Sequence, residues 1–175
     1  MDDSYKILIV DQNVSQRQSL EALLCALEQG PPHAALRPAE DADDVAILRA
    51  LAAREQVRVS CQSAAEIETL WGLCRIPNYE KHIPEHQAER LVPLFSQLVS
   101  RGRIDAVYLD EQLRRLERYD GDIDTLVARL SAVRTWLYVC RQRGWVDAAR
   151  DWQTRTRELE DRLGDLRSEE RRVGR

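Results

Sequence analysis

From Ile123 to Cys140 the apolar residues Ile123, Leu126, Val127, Leu130, Val133, Leu137 and Cys140 recur every three or four positions. That is the period of an α-helix with one buried stripe, and a window this long is too long for a strand. Asp120-Gly121-Asp122 is a break followed by an N-cap residue, and Gly144 closes the run, so the spacing predicts a helix over 122–142. Such a helix must lay its stripe against other elements. Seven Gly and six Pro in 175 residues leave few tight turns, which argues against many short strands and makes long helices the default partners.

The same period recurs along the chain. A helix is expected over 16–29, capped by Ser15 or Asn13, with Leu20, Leu23, Leu24 and Leu27 inward and Gly30-Pro31-Pro32 as its stop. The acidic run Glu40–Asp44 suits a helix N-terminus, and Val45, Leu48 and Leu51 face inward from it. Residues 55–61 read either as a short strand, because Val57 and Val59 alternate, or as a helical turn. Ser63-Ala64-Ala65-Glu66 is a capping box ahead of Ile67, Leu70, Trp71 and Cys74. A helix over about 85–100 buries Leu91, Val92, Phe95, Leu98 and Val99, and Pro93 inside it should kink it or delay its start. Asp105 caps a helix with Leu109, Leu113 and Leu116 inward, and a last helix runs from about Asp147 to Val173 with Trp152, Leu159, Leu163 and Leu166 near heptad spacing. Only Lys6-Ile7-Leu8-Ile9-Val10 reads as a strand, and no comparable run follows to pair with it. The expected fold is all-α: a bundle of six to seven helices with one short N-terminal strand or extended arm. The arm occupies 1–16 and one helical domain 17–175.

Composition removes several classes of function. A chain that is 43% hydrophobic can bury a core, but 32% charged residues and a mean hydropathy of −0.50 do not describe a membrane protein. No apolar run approaches the roughly 20 residues of a span. Cys25, Cys61, Cys74 and Cys140 form no C-x-x-C pair, and Met1-Asp2-Asp3-Ser4 has no cationic leader pattern, so reduced thiols in the cytoplasm are expected. Tyr5-Lys-Ile-Leu-Ile-Val-Asp11 looks like the first strand of a receiver domain, yet the four further parallel strands of that fold do not follow. Phosphate-cradling glycine loops are absent, so the chain should not hydrolyse ATP. Cys61, Cys74, His82 and His86 have the wrong intervals for a zinc knuckle and read as core thiols and loop histidines. Asp120, Asp122 and Asp124 miss the order of a calcium loop, which leaves Asp122 as an N-cap. No catalytic constellation, metal or cofactor is expected.

Charge points elsewhere. Of 26 cationic residues 24 are arginine, and residues 1–88 carry 8 cations against 14 anions while 89–175 carry 18 against 16. Arg114, Arg115, Arg118, Arg129, Arg134, Arg141 and Arg143 are interleaved with Tyr119, Trp136, Tyr138 and Trp145. Guanidinium groups beside aromatics can track and stack single-stranded RNA. The competing reading is ordinary surface pairing with Asp110, Glu111 and Glu117 at helical spacing, in a chain whose arginine excess reflects a GC-rich genome.

The segment Leu116-Glu-Arg-Tyr-Asp-Gly-Asp-Ile-Asp-Thr-Leu-Val-Ala-Arg-Leu-Ser-Ala-Val-Arg-Thr-Trp-Leu-Tyr-Val139 resembles the C-terminal region of the mitochondrial-degradosome RNA helicases and their α-proteobacterial relatives, which are superfamily 2 DExH-box enzymes. It follows the family's D-G-D-I-D-T-L and R-T-W-T-Y. Leu70-Trp71-Gly-Leu-Cys74-Arg-Ile-Pro77-Asn-Tyr-Glu-Lys81 is similar to the family's L-W-x-x-C-Q-I-P-D-F-R-K. Trp145, Trp152 and Glu160-Asp161-Arg162-Leu163 fall where the family has W-L, H-W-Q and E-D-R-L. Weaker similarity covers 17–53. The family's ATPase lies in two RecA-like domains upstream of this region, and neither is in this sequence. The resemblance therefore implies a bacterial, non-catalytic helicase-accessory domain, standing alone or cut from a larger protein. In one reading it binds single-stranded RNA through the seven arginines of the 105–118 and 122–142 helices. In the other it is a protein-interaction module for a helicase, an exoribonuclease or its own copy, with no nucleic-acid binding.

Overall fold

The computed structural model describes residues 19–29 and 42–173, and among these it is all-helical. Eight helices follow in order among the described residues: α1 (Leu20–Gln29), α2 (Asp43–Ala52), α3 (Glu55–Ser60), α4 (Ala64–Cys74), α5 (Pro84–Arg101), α6 (Ala106–Leu116), α7 (Ile123–Arg141) and α8 (Ala149–Val173). The expected strand over 6–10 lies outside the described residues. The eighth helix comes from the ambiguous stretch 55–61, which is α3. Val57 is fully buried and Val59 is 65% exposed. Residues two apart share one face of a strand but stand about 200° apart on a helix, so one buried and one exposed valine is the helical pattern.

The chain divides into two compact units. Of the described residues the first takes 19–29, 42–75 and 82–100, and it holds α1 to α5. Here α2 packs against α1, α3 and α4, burying Val45, Ile47, Leu48 and Leu51 along with Leu20 and Leu23 of α1 and Ile67 and Leu70 of α4. Helix α1 is capped by Ser19, whose Oγ accepts the Ala22 N–H at 3.1 Å. The Ser63 capping box is closed as expected: Ser63 Oγ accepts the Glu66 N–H, and the Glu66 carboxylate accepts the Ser63 N–H at 2.7 Å. Pro84 occupies the first position of α5, where its missing N–H costs nothing. Helix α5 then continues through Pro93 instead of starting after it. Pro93 lies on the exposed side, where water can serve the carbonyl that a proline leaves without a donor. Leu91, Leu94, Phe95 and Leu98 carry the buried face, with Val92 and Val99 half-buried at its margins.

Of the described residues the second unit takes 76–81 and 101–173, and it holds α6 to α8. Helices α7 and α8 form an antiparallel hairpin across a short turn, and α6 lies against α7. Leu126, Leu130 and Val133 of α7 meet Leu159 and Leu163 of α8, with Leu116 and Leu166 at the edge. Trp152, expected in that seam, is half-buried, and fully buried Thr156 takes the position one turn on, its hydroxyl donating to the Trp152 carbonyl at 2.7 Å. Asp105 caps α6 by accepting from the Val107 and Tyr108 N–H groups, and Asp122 caps α7 by accepting from the Thr125 N–H at 2.9 Å. Two members of the opening stripe are corrected: Ile123 and Val127 are 38% and 42% exposed. Helix α7 has two partners, α8 and α6. Its buried arc runs from Leu126, Leu130 and Leu137 round to Ala132, Trp136 and Val139. At ~100° per residue, Ile123 and Val127 fall just outside this arc, about 20° and about 60° beyond its Leu130 edge.

Candidate functional site

The structure places the seven sequence-derived arginines on the second unit but does not make one surface of them. Four are engaged by the protein. Arg114 is paired with Asp110 at 2.8 Å, one helical turn back, and Arg118 with Asp120 at 3.3 Å. Arg134 on α7 reaches Glu160 on α8 at 2.8 Å. Arg129 is the most enclosed, with 15% of its side chain exposed. Its Nη1 donates to the carbonyls of Arg118 and Asp120, which ties the 117–122 loop to α7. The remaining three, Arg115, Arg141 and Arg143, are exposed and make no ion pair among the described residues.

These three do not sit together. The edge-on Tyr108–Trp136 contact, ring centres 6.2 Å apart, and the Ile104 N–H bond to the Trp145 carbonyl at 2.8 Å put the start of α6 beside the end of α7. Leu116, at the other end of α6, packs on the Leu126–Leu130 cluster. Arg141 and Arg143 therefore lie at one end of the unit and Arg115 at the other, roughly 15 Å further along the helix axis at 1.5 Å per residue. Of the interleaved aromatics, Trp136 is buried and used in packing, Tyr138 and Trp145 are half-buried, and Tyr119 is exposed.

Sequence reasoning missed Arg155. From α8 its Nη1 meets Asp110 at 2.6 Å and its Nη2 meets Glu117 at 2.7 Å, and its guanidinium lies 5.6 Å from the Trp152 ring centre. Burial alone would lower the pKa of this group, but the hydrogen bonds and charges of Asp110 and Glu117 outweigh it and raise it. The same contact holds the Asp110 carboxyl below its usual range, with the Arg114 and Arg155 charges adding to it. Asp110 thus bridges two arginines, and Glu117 is taken by α8 instead of by its helical neighbours. Arg162 stacks on Tyr119 with its guanidinium carbon 4.3 Å from the ring centre. At this end of the unit Arg114, Arg118, Arg129 and Arg155 are thus held by protein acceptors, and Arg115 is left exposed beside them.

Both acids of the Asp120-Gly121-Asp122 corner are engaged by the protein, Asp120 by Arg118 and Asp122 by the Thr125 N–H. Asp120 is held low by its own backbone N–H and by Arg118, and Asp122 by hydrogen bonds from Thr125. Among the described residues no group of three or more His, Cys, Asp or Glu side chains could hold a metal ion, and no helix is long and apolar enough to cross a membrane. Burial pushes the Cys140 thiol up to about 12 and the Cys61 thiol to about 11, and it raises Cys74 as well, which makes all three poor nucleophiles at neutral pH. In the first unit, Arg54, Glu55, Gln56, Val59 and Ser60 line a shallow open depression of ≈ 610 Å³ on α3, with one charge of each sign. No family model, curated protein or solved structure matches the chain.

Proposed function

We propose that the chain is a non-catalytic, helicase-accessory-like helical module that binds single-stranded RNA. The observation that carries this reading is that Arg115, Arg141 and Arg143 are exposed and make no ion pair with a carboxylate among the described residues. An arginine already held by a carboxylate must give up that contact to meet a phosphate, whereas an unpaired one forms a bidentate charge-assisted pair at no such cost. The D-G-D-I-D-T-L segment and its flanking motifs support the helicase-like part of the reading, since they continue through α6, α7 and α8. Fluorescence anisotropy with a labelled single-stranded RNA tests it. Affinity should fall as salt rises, with a log–log slope of about −0.7 per phosphate contacted. Absence of binding at low salt refutes it.

A second reading, a protein-interaction module, is favoured by a different observation. Ile123 and Val127, one helical turn apart on α7, and Tyr119 before it are all exposed. The single-residue variants Ile123→Asp and Val127→Asp should leave the fold intact and abolish association if this flank is an interface. A chain that sediments as a monomer at every concentration, with or without a candidate helicase or exoribonuclease, refutes that reading.

A further inference from the structure

Resting on the RNA-binding reading, we propose that the phosphate contacts are concentrated at the α7–α8 turn, on Arg141, Arg143 and Arg150, and not at the end of α6 where the sequence places its densest arginine run. Arg150 is outside the set that sequence reasoning assembled. It is the second residue of α8, exposed, and makes no ion pair among the described residues.

Two observations separate the ends of the unit. The first is pairing. Around the end of α6, Arg114, Arg118, Arg129 and Arg155 share Asp110, Glu117 and Asp120, and every one of these four cations has a protein acceptor. Arg115 there, and Arg167, Arg171 and Arg172 on the last turns of α8, make no ion pair among the described residues but are interspersed along their helices with the acids Glu111, Asp165, Glu169 and Glu170. Around the turn the one acid of the 142–148 connection is Asp147, and Arg103 holds it through both oxygens at 2.9 and 2.8 Å. Asp151, in the first turn of α8, is the remaining acid there, against three arginines that make no ion pair among the described residues. The second observation is rigidity. The Gln153 side-chain amide donates to the Cys140 carbonyl at 2.9 Å, the Trp145 carbonyl accepts from Ile104, and Val146 is buried under the turn. Arginines on a backbone fixed in this way lose less freedom on binding than arginines on a loose loop. A planar guanidinium with no internal partner is suited to the bidentate grip of a phosphodiester.

The test compares two triple variants that remove the same charge. Arg141→Ala/Arg143→Ala/Arg150→Ala removes the unpaired arginines; Arg114→Ala/Arg118→Ala/Arg134→Ala removes three that are paired with carboxylates. Binding of the full chain to a labelled oligouridylate is followed by anisotropy from low to moderate salt, with circular dichroism confirming that each variant is folded. The first variant should lose at least tenfold in affinity at low salt, and its log–log salt slope should become shallower by about 2, three contacts at about 0.7 each for a single strand. The second should stay within about twofold of the parent. Arg141→Lys/Arg143→Lys/Arg150→Lys should restore the slope while recovering only part of the affinity, because the charge returns without the fork. Equal losses from both Ala triples would reduce the effect to net charge and overturn the assignment to the turn, as would a loss confined to the second. A parent chain that binds no RNA at low salt would instead overturn the RNA reading on which this rests.

Discussion

Gly121 offers the sharpest test of how the second unit is built. Its φ is +125°, a backbone conformation that L side chains rarely adopt. A Cβ placed there would stand 2.9 Å from Thr125 Cγ2 and 3.1 Å from Thr125 Cβ. Thr125 cannot step aside, because its N–H is held by the Asp122 cap at 2.9 Å and its branched side chain is stiff at χ1. In Gly121→Ala the backbone conformation costs about 1–3 kcal/mol, and forcing Thr125 off its rotamer adds about 1 kcal/mol. The smaller entropy of alanine in the unfolded chain returns about 0.5–1 kcal/mol. The net loss is about 2 kcal/mol.

Urea denaturation followed by tryptophan fluorescence suits the measurement, since Trp136, Trp145 and Trp152 belong to this unit and Trp71 alone to the other. A loss of about 2 kcal/mol lowers the midpoint by about 1 M at an unchanged slope. Thr125→Ser deletes the nearer contact atom and leaves the backbone strain. Gly121→Ala should therefore cost about 1 kcal/mol less in the Thr125→Ser background than in the parent, a coupling that a double-mutant cycle resolves. A Gly121→Ala loss below about 0.5 kcal/mol, or a cycle with no coupling, would mean that this corner relaxes freely and that the glycine is not required by the fold.

Three further outcomes follow from the same structure. Leu130→Ala, at the centre of the α7–α8 seam, should cost about 2–4 kcal/mol, against under about 1 kcal/mol for Val127→Ala on the exposed flank; equal costs in denaturant titrations would reverse the assignment of the two faces. A thiol reagent at mild alkaline pH should titrate the exposed Cys25 in the native chain and all four cysteines once urea is added, because Cys61, Cys74 and Cys140 are buried and their pKa values are raised. Asp110, Asp120 and Asp122 have carboxyls held below their ordinary value. Their contribution is therefore complete above a pH of about 4 and is lost as pH falls through their lower folded values. An acid unfolding curve should show this loss beginning below about pH 4, and Asp122→Asn, which keeps a cap acceptor without a titrating carboxyl, should flatten it.

The sequence disclosed most where the determinant is local. Ser63 with Glu66, Asp105 and Asp122 each cap a helix within three residues of themselves, and each was readable from residue type and spacing. The α7 stripe was readable too, but only as the union of two contact faces. A hydrophobic period counts apolar positions without saying how many partners the helix has, so Ile123 and Val127 were drawn inward with the rest. Pro93 misled for a related reason: the rule against proline within a helix weakens when the lost hydrogen bond lies on the solvent side. The arginines were the least legible. Arg155 reaches Asp110 across 45 positions, Arg103 reaches Asp147 across 44, and Arg134 reaches Glu160 across 26. Spacing along one helix cannot see a partner supplied by another, and pairing decides whether an arginine is available to a ligand.

That distinction bears on what the 116–139 segment can carry. Its most distinctive positions are occupied with making a corner: Gly121 supplies the turn, Asp122 the cap, Leu126 and Leu130 the seam, and Arg129 the tie from α7 back to the loop carbonyls. Each of these side chains is satisfied inside the unit, and each would be needed whether or not the chain met RNA. Likeness in such residues transfers an architecture, the turn from α6 into α7 and the hairpin that follows. Under the proposed RNA reading, binding then falls to the positions the architecture leaves uncommitted. On this unit those include Arg141, Arg143 and Arg150, which make no ion pair among the described residues and all lie beyond the segment. The Asp120–Asp122 corner and the arginines proposed to hold a phosphate backbone therefore stand at opposite ends of α7.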